Sequence, residues 1–245
     1  MFRMQNIFPA RMAAWMGAAI IAATAPAALH AGPIELPDIK ALQIDGIVKI
    51  PVKSMQAVES KGQILFVSEN GRYVFSGQMY DLWSKDKALS TLGQIKASAE
   101  LLNLKAMGAD VDSLNTMVIG SGTREVVAFV DPKCAICHKL MADSKKLGKD
   151  YVFKFISVPA LGDESNALSR RLFCAADKGA RLDAFMNNGL KTLAQQPKCD
   201  TTGYDRTLLL ATLIPVDGVP FVVSPDGRIS RGYPANFAKW LAGEK

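Results

Sequence analysis

Two cysteines with two residues between them, Cys134 and Cys137, carry the most chemistry that spacing can encode in this chain. An apolar run of strand type, 126–130, precedes them. The turn Asp131-Pro132-Lys133 comes next, and a helix-like stretch, 139–147, follows the pair. A helix starting at that point sets both sulfurs facing one another across its first turn. The first sulfur, expected to be exposed, lies at the positive end of the helix dipole, which stabilises its thiolate and makes it the attacking group. The second, shielded by the helix, resolves a mixed disulfide by attacking back. Strand, Cys-x-x-Cys and helix in that order point to thiol–disulfide exchange.

Other chemistries use the same residue types. A structural zinc site takes a second ligand pair, and Cys174 and Cys199 lack that spacing. Copper held by two thiolates would be joined by a methionine cluster, and none adjoins the motif. Haem is the stronger competitor, because Cys134-Ala-Ile-Cys-His138 matches the c-type attachment pattern with His138 as axial ligand. The strand just upstream and the two further cysteines fit a cytochrome poorly, so no metal and no cofactor are expected. His138 then reads as a partly exposed residue of the first helical turn that adds positive field near Cys134. Asp131 could assist proton transfer, but an Asp-Pro turn accounts for it more simply.

If Cys134 and Cys137 exchange, Cys174 and Cys199 are left for each other. Such a cross-link contributes about 3.5 kcal/mol in the chain-entropy account and reads as a structural clip. Pro220 follows Val219 at the start of a strand candidate, where proline cannot donate to the ladder. A tight Gly218-Val219-Pro220 turn could hold a cis bond and set the Val219 backbone beside the dithiol, free to hydrogen-bond an extended peptide. Periodicity alone leaves that open.

The elements that must position these residues follow from patterning. From 35 to about 84 the chain reads as β-rich, and the apolar runs 64–67 and 72–75 flank Asn70-Gly71, a hairpin signal. About fifty residues make a thin core, and a small sheet leaves open strand edges; both favour self-association. Leu89, Leu92, Ile95, Ala99, Leu102 and Met107 recur at near-helical spacing and predict a linker helix across 85–107. Residues 108–122 read as a polar connection. Then come strand 126–130, helix 139–147, strand 152–158, a largely helical stretch 166–187, a hairpin over 219–230 and a closing helix 237–241. That α/β order buries one mixed sheet.

The chain has 245 residues, 49% of them apolar and 21% charged, which excludes a disordered polypeptide. Arg3 and Arg11 precede the apolar run 12–25, and small residues surround Ala27 and Ala31, as in a cleavable export signal. That run spans only about 21 Å of helix, short of the ~30 Å hydrocarbon core. Removing 1–31 takes away two arginines and no acid, so the net charge falls from +6 to +4. The remaining excess is dispersed, which argues against a nucleic-acid partner. Export places the chain where disulfides persist.

Residues 129–139 together with Phe173-Cys-Ala-Ala-Asp-Lys178, Lys198-Cys-Asp200 and Gly218-Val-Pro220 resemble the periplasmic DsbC/DsbG disulfide isomerases. Met55-Gln-Ala-Val58, Asn70-Gly71 and Gly77-Gln-Met-Tyr-Asp81 are similar to that family's dimerisation domain. The resemblance implies a thioredoxin-fold catalytic domain, α+β or α/β in class, with a small β-rich dimerisation domain and a linker helix. With the patterning above, the chain divides into a signal peptide (1–31), the dimerisation domain (32–84), linker helix and connection (85–119) and the catalytic domain (120–245). The resemblance also implies a V-shaped homodimer acting on misfolded exported proteins and kept reduced by a DsbD-type membrane reductase. By match, Cys134 is the nucleophile, Cys137 the resolving thiol, Pro220 the cis-proline and Cys174–Cys199 the structural disulfide. Two positions depart from the pattern. Ala135-Ile136 stands where Gly-Tyr is usual, and Val219 where Thr is usual, the latter more like the oxidase DsbA. A thiol oxidase and a client-holding chaperone are therefore the alternatives.

Overall fold

A computed structural model describes residues 43–82, 87–214 and 216–244. The export signal expected over 1–31 and the start of the N-terminal domain lie outside the described residues.

Four strands, β1 (Gly46–Lys49), β2 (Met55–Ser60), β3 (Gln63–Ser68) and β4 (Val74–Ser76), form an antiparallel sheet in chain order. Lys61 and Gly62, both at positive φ, make the two-residue turn between β2 and β3, as right-twisted hairpins favour. The Asn70-Gly71 signal falls in the β3–β4 loop, where Gly71 has φ 69° and the Asn70 side chain accepts the Arg72 N–H. A separate pair, β5 (Met79–Asp81) and β6 (Lys87–Leu89), leads to helix α1 (Leu92–Ala99). Ile95 of α1 joins Ile50, Ala57 and Leu89 in a small core.

The helix expected across 85–107 is thus only eight residues long. Leu89 is strand-paired with Met79, and Thr91 caps the helix by accepting the Gln94 N–H. After α1 the backbone leaves the helix to bond elsewhere: Leu102 N–H donates to Gly227 O at 2.7 Å, and Ile229 N–H to Glu100 O at 3.1 Å. Leu102 and Met107 keep helical spacing because they pack on a different core.

That second core belongs to a five-stranded sheet of order β11-β10-β8-β9-β7. Its strands are β7 (Thr116–Ile119), β8 (Arg124–Val130), β9 (Tyr151–Ser157), β10 (Phe221–Val223) and β11 (Ile229–Arg231). Strand β8 runs parallel to β9, in register Val130↔Ser157, and antiparallel to β10. Helices α2 (Ala135–Leu147), α3 (Asp163–Phe173), α4 (Arg181–Met186), α5 (Thr202–Leu213) and α6 (Phe237–Ala242) complete the unit. Val126, Ala128 and Val130 enter one apolar cluster while Val127 and Phe129 enter the other, so β8 is buried on both faces. A βαβ unit with Cys-x-x-Cys at its helix start, closed by an antiparallel hairpin and a last helix, is a thioredoxin fold.

Strand β7 corrects the polar connection expected at 108–122. Met117 and Ile119 are buried, and β7 pairs antiparallel with β9. The sheet therefore starts before residue 120. Gly120 and Gly122 let this edge approach closely, since a Cβ on Gly122 would sit 2.1 Å from the Asp150 carbonyl carbon. The helical stretch expected over 166–187 is two helices, broken around Cys174. Among the described residues no helix is long and apolar enough to cross a membrane.

Candidate active site

Helix α2 begins where sequence places it. Cys134 is its N-cap in extended conformation, and its Sγ accepts the Cys137 N–H at 3.2 Å. The same sulfur lies 3.8 Å from the Val219 carbonyl oxygen. Cys134 and Cys137 are disulfide-bonded with Cα atoms 5.2 Å apart. The expectation of an exposed first sulfur is corrected: Cys134 is 6% exposed and Cys137 0%. The Val219 carbonyl lies against the first sulfur, while Ala135 and Ile136 between the cysteines stay exposed. An N–H aimed at Sγ from the first turn favours the thiolate.

Asp131, directly after β8, is fully buried and organises the turn. Its carboxylate accepts Lys133 N–H at 2.7 Å, Ser165 Oγ–H at 2.8 Å and Leu161 N–H at 2.9 Å, and its backbone carbonyl accepts Cys134 N–H at 3.1 Å. This is more than a local Asp-Pro turn, because two of the donors come from the segment after β9. Lys133 is ion-paired with Glu164, as is Lys191. Their two ammonium groups, Lys133 first, hold the Glu164 carboxyl down at about 2.

His138 sits on the other side of the turn. Its Nε2 lies 2.9 Å from the Pro132 carbonyl, so that nitrogen carries the proton and donates. Its ring stacks on Phe185 of α4 at 5.0 Å between centroids. A ring held on both sides in this way braces α2 and is not presented to an iron. Held in this way, His138 does not fit the axial-ligand role that the haem reading gives it. Among the described residues no cluster of His, Cys, Asp and Glu suits a metal ion.

The Val219–Pro220 peptide is cis. Pro220 immediately precedes β10, and Phe221 is paired with Phe129 of β8, so this turn comes to the same sheet end as Cys134. Cys174 and Cys199 form the second disulfide, with Cα atoms 5.5 Å apart, tying the C-cap of α3 to the segment before α5. Leu161, Glu164, Ser165 and Phe185 are site neighbours that sequence reasoning missed. The acidic pair Asp163-Glu164 signals a helix start, but nothing local links it to the cysteines.

Farther along α2, Asp143 accepts from Lys146, Lys139 and Tyr233, which hold its carboxyl well below the usual carboxylate range. Burial, and then the bond to Asp143, push the Tyr233 phenol up to about 12.

Residues 22–90 match the family described as the disulfide bond isomerase protein N-terminal domain. The Thiol:disulfide interchange protein DsbC of Escherichia coli (strain K12) is 27% identical over 188 residues, covering 75% of this chain and 74% of that protein. The protein of the same name from Dickeya dadantii (strain 3937) is 25% identical over 201 residues, covering 78% and 77%. Over about three quarters of its length the chain is thus similar to proteins named DsbC, and its N-terminal part matches the isomerase N-terminal domain. Among solved structures, a disulfide interchange protein from Neisseria gonorrhoeae aligns with TM-score 0.44 and 22% identity, over 56% of this chain and 98% of that one. The five-stranded sheet, the cysteine pair at the start of α2 and the likeness to these thiol:disulfide interchange proteins together support thiol–disulfide oxidoreductase activity.

Proposed function

We propose that the chain is an exported, periplasmic homodimer that isomerises or reduces non-native disulfides in other exported proteins. Cys134, as thiolate, attacks one sulfur of a client disulfide. That bond breaks, and the client's second sulfur leaves and takes a proton. In isomerisation another client thiol attacks the mixed disulfide and frees Cys134, with no net oxidation. In reduction Cys137 attacks instead, the Cys134–Cys137 disulfide forms and the client keeps two thiols. A membrane reductase of the DsbD type would return those two electrons. The carrying observation is Cys134 Sγ held between the Cys137 N–H and the Val219 carbonyl at the start of α2. The Val219–Pro220 backbone is the proposed seat of an extended client segment, and Cys174–Cys199 the clip. The N-terminal sheet, whose strand β4 carries half-exposed Phe75 at an open edge, is the proposed dimer contact, with residues before 32 removed on export.

Reactivation of a scrambled multi-disulfide protein under a glutathione buffer tests this. The wild type accelerates it, and Cys134→Ser does not. Retained acceleration by Cys134→Ser would sink the mechanism. A second reading, a thiol oxidase, rests on Val219, whose apolar side chain offers the sulfur no hydroxyl. A reduction potential near ~−120 mV would favour it.

A further inference from the structure

Two loops leave the same end of the five-stranded sheet side by side, because β8 and β9 are parallel neighbours. One is the Cys134 turn. The other, residues 158–162, holds an unusual combination: its backbone is pinned at several points, yet Leu161 is 53% exposed. Val158 N–H donates to Val130 O at 2.8 Å, Leu161 N–H to Asp131 Oδ2 at 2.9 Å, and Ser165 Oγ–H to Asp131 Oδ1 at 2.8 Å. Glu164 reaches back to Lys133. A buried carboxylate is expensive to desolvate and survives only when its oxygens are filled. Here part of that investment fixes the backbone of a leucine whose side chain points away from any core. In open α/β sheets, ligands collect beyond the carboxyl ends of adjacent strands, which is where both loops lie.

We infer that Leu161 is a specificity residue that contacts an apolar side chain flanking the client's cysteine, and that Asp131 is the positioning residue holding it in register with Cys134. The occupant is an extended client segment with a large aliphatic or aromatic residue beside the cysteine, seated against Leu161 and the exposed Ile136. Asp131 acts through geometry: one oxygen serves the cysteine turn and the helix start, the other serves Leu161. An asparagine can keep the first set of bonds through its single carbonyl oxygen, but it turns an N–H₂ group toward the Leu161 N–H and releases that loop. This inference rests on the exchange reading of the site and extends it to what the site selects.

The test uses the full-length protein, kept reduced during turnover by excess reduced glutathione as electron donor, and two disulfide-linked peptides that differ only at the residue next to the cysteine, Leu in one and Ser in the other. The readout is the ratio of kcat/KM for the two. Leu161→Ser, an exposed substitution that leaves folding intact, is expected to lower that ratio about tenfold, mainly through KM for the Leu peptide. Asp131→Asn is expected to lower the ratio by a similar factor, and the double variant to add little to either. Thermal unfolding of each variant separates lost selectivity from lost structure, and Leu161→Ser alone decides the matter if Asp131→Asn does not fold. A ratio unchanged in Leu161→Ser, or rates that fall equally for both peptides, overturns the inference. Wild-type protein that reduces neither peptide would instead overturn the exchange reading beneath it.

Discussion

The N-terminal sheets and the five-stranded sheet solve opposite problems. Around β1–β4 the described buried apolar residues are few, Ile50, Ala57, Val58, Leu65, Leu89 and Ile95, while Ile44, Ile47, Val52, Tyr73, Phe75 and Tyr80 are each at least 46% exposed. Around β8 both faces are filled, with Phe129, Phe153, Phe155, Phe185 and Phe221 buried almost completely. All four cysteines lie in this second region. A region with a thin core and exposed strand residues is suited to meet another protein, and one with a sheet filled on both faces is suited to hold two sulfurs still, though it too exposes Ile136, Leu161, Leu209 and Leu213. Division of labour is therefore written into burial, independently of any motif.

The largest effect that could break this contrast is at the sulfur. Cys134→Ser is expected to slow disulfide exchange on the order of 10³-fold or more while leaving the oligomeric state unchanged, read by peptide reduction and light scattering. Next come changes that should hurt the rigid region more than the thin one. Gly122→Ala drives a Cβ into the Asp150–Tyr151 backbone and should cost about 3 kcal/mol in urea unfolding. Gly62→Ala, at φ 76° but with open space around it, should cost only about 1 kcal/mol. Equal costs would mean that the two regions are not packed as differently as burial indicates. Removing the clip with Cys174→Ala and Cys199→Ala should cost about 3 kcal/mol. In the N-terminal sheet Phe75→Asp should weaken self-association about tenfold or more, seen as monomer at micromolar concentration in ultracentrifugation.

The smallest effect is in pH. Asp143 titrates below its ordinary range, so its contribution is present above about pH 4 and is lost as pH falls through the folded-state value. Tyr233, raised to about 12, contributes below its ordinary value near 10 and loses that as pH climbs toward 12. Asp143→Asn should flatten the acid limb of a plot of Tm against pH, and Tyr233→Phe the alkaline limb. Limbs identical to the wild type would remove this cluster from the account of the rigid region.

Legibility in sequence followed a different divide, between local signals and distant partners. The helix start at Cys134 is readable because a strand pattern, a turn and a paired-cysteine spacing agree within a dozen or so residues. The Asn70-Gly71 hairpin is readable for the same local reason. What failed was whatever depends on distant partners. Strand β7 hides between glycines because only Met117 and Ile119 of its inward face are strongly apolar. The long helix was inferred from Leu102 and Met107, which keep the right spacing for burial in another core. Asp131 looked like a turn residue because its decisive donors, Leu161 and Ser165, come some thirty positions later. Helix α5 leaves little trace in the sequence, because exposed Leu209 and Leu213 blur its amphipathic pattern.

The backbone bonds between residues 100–102 and the β10–β11 hairpin carry a practical consequence for anyone dissecting the molecule. They occupy the outer margin of β11 much as β7 occupies the outer margin of β9. A fragment trimmed to begin at residue 120 would lose both covers at once and present two bare strands to its own copies, a template for sticking and aggregation. The shortest piece that keeps both margins closed starts near Glu100.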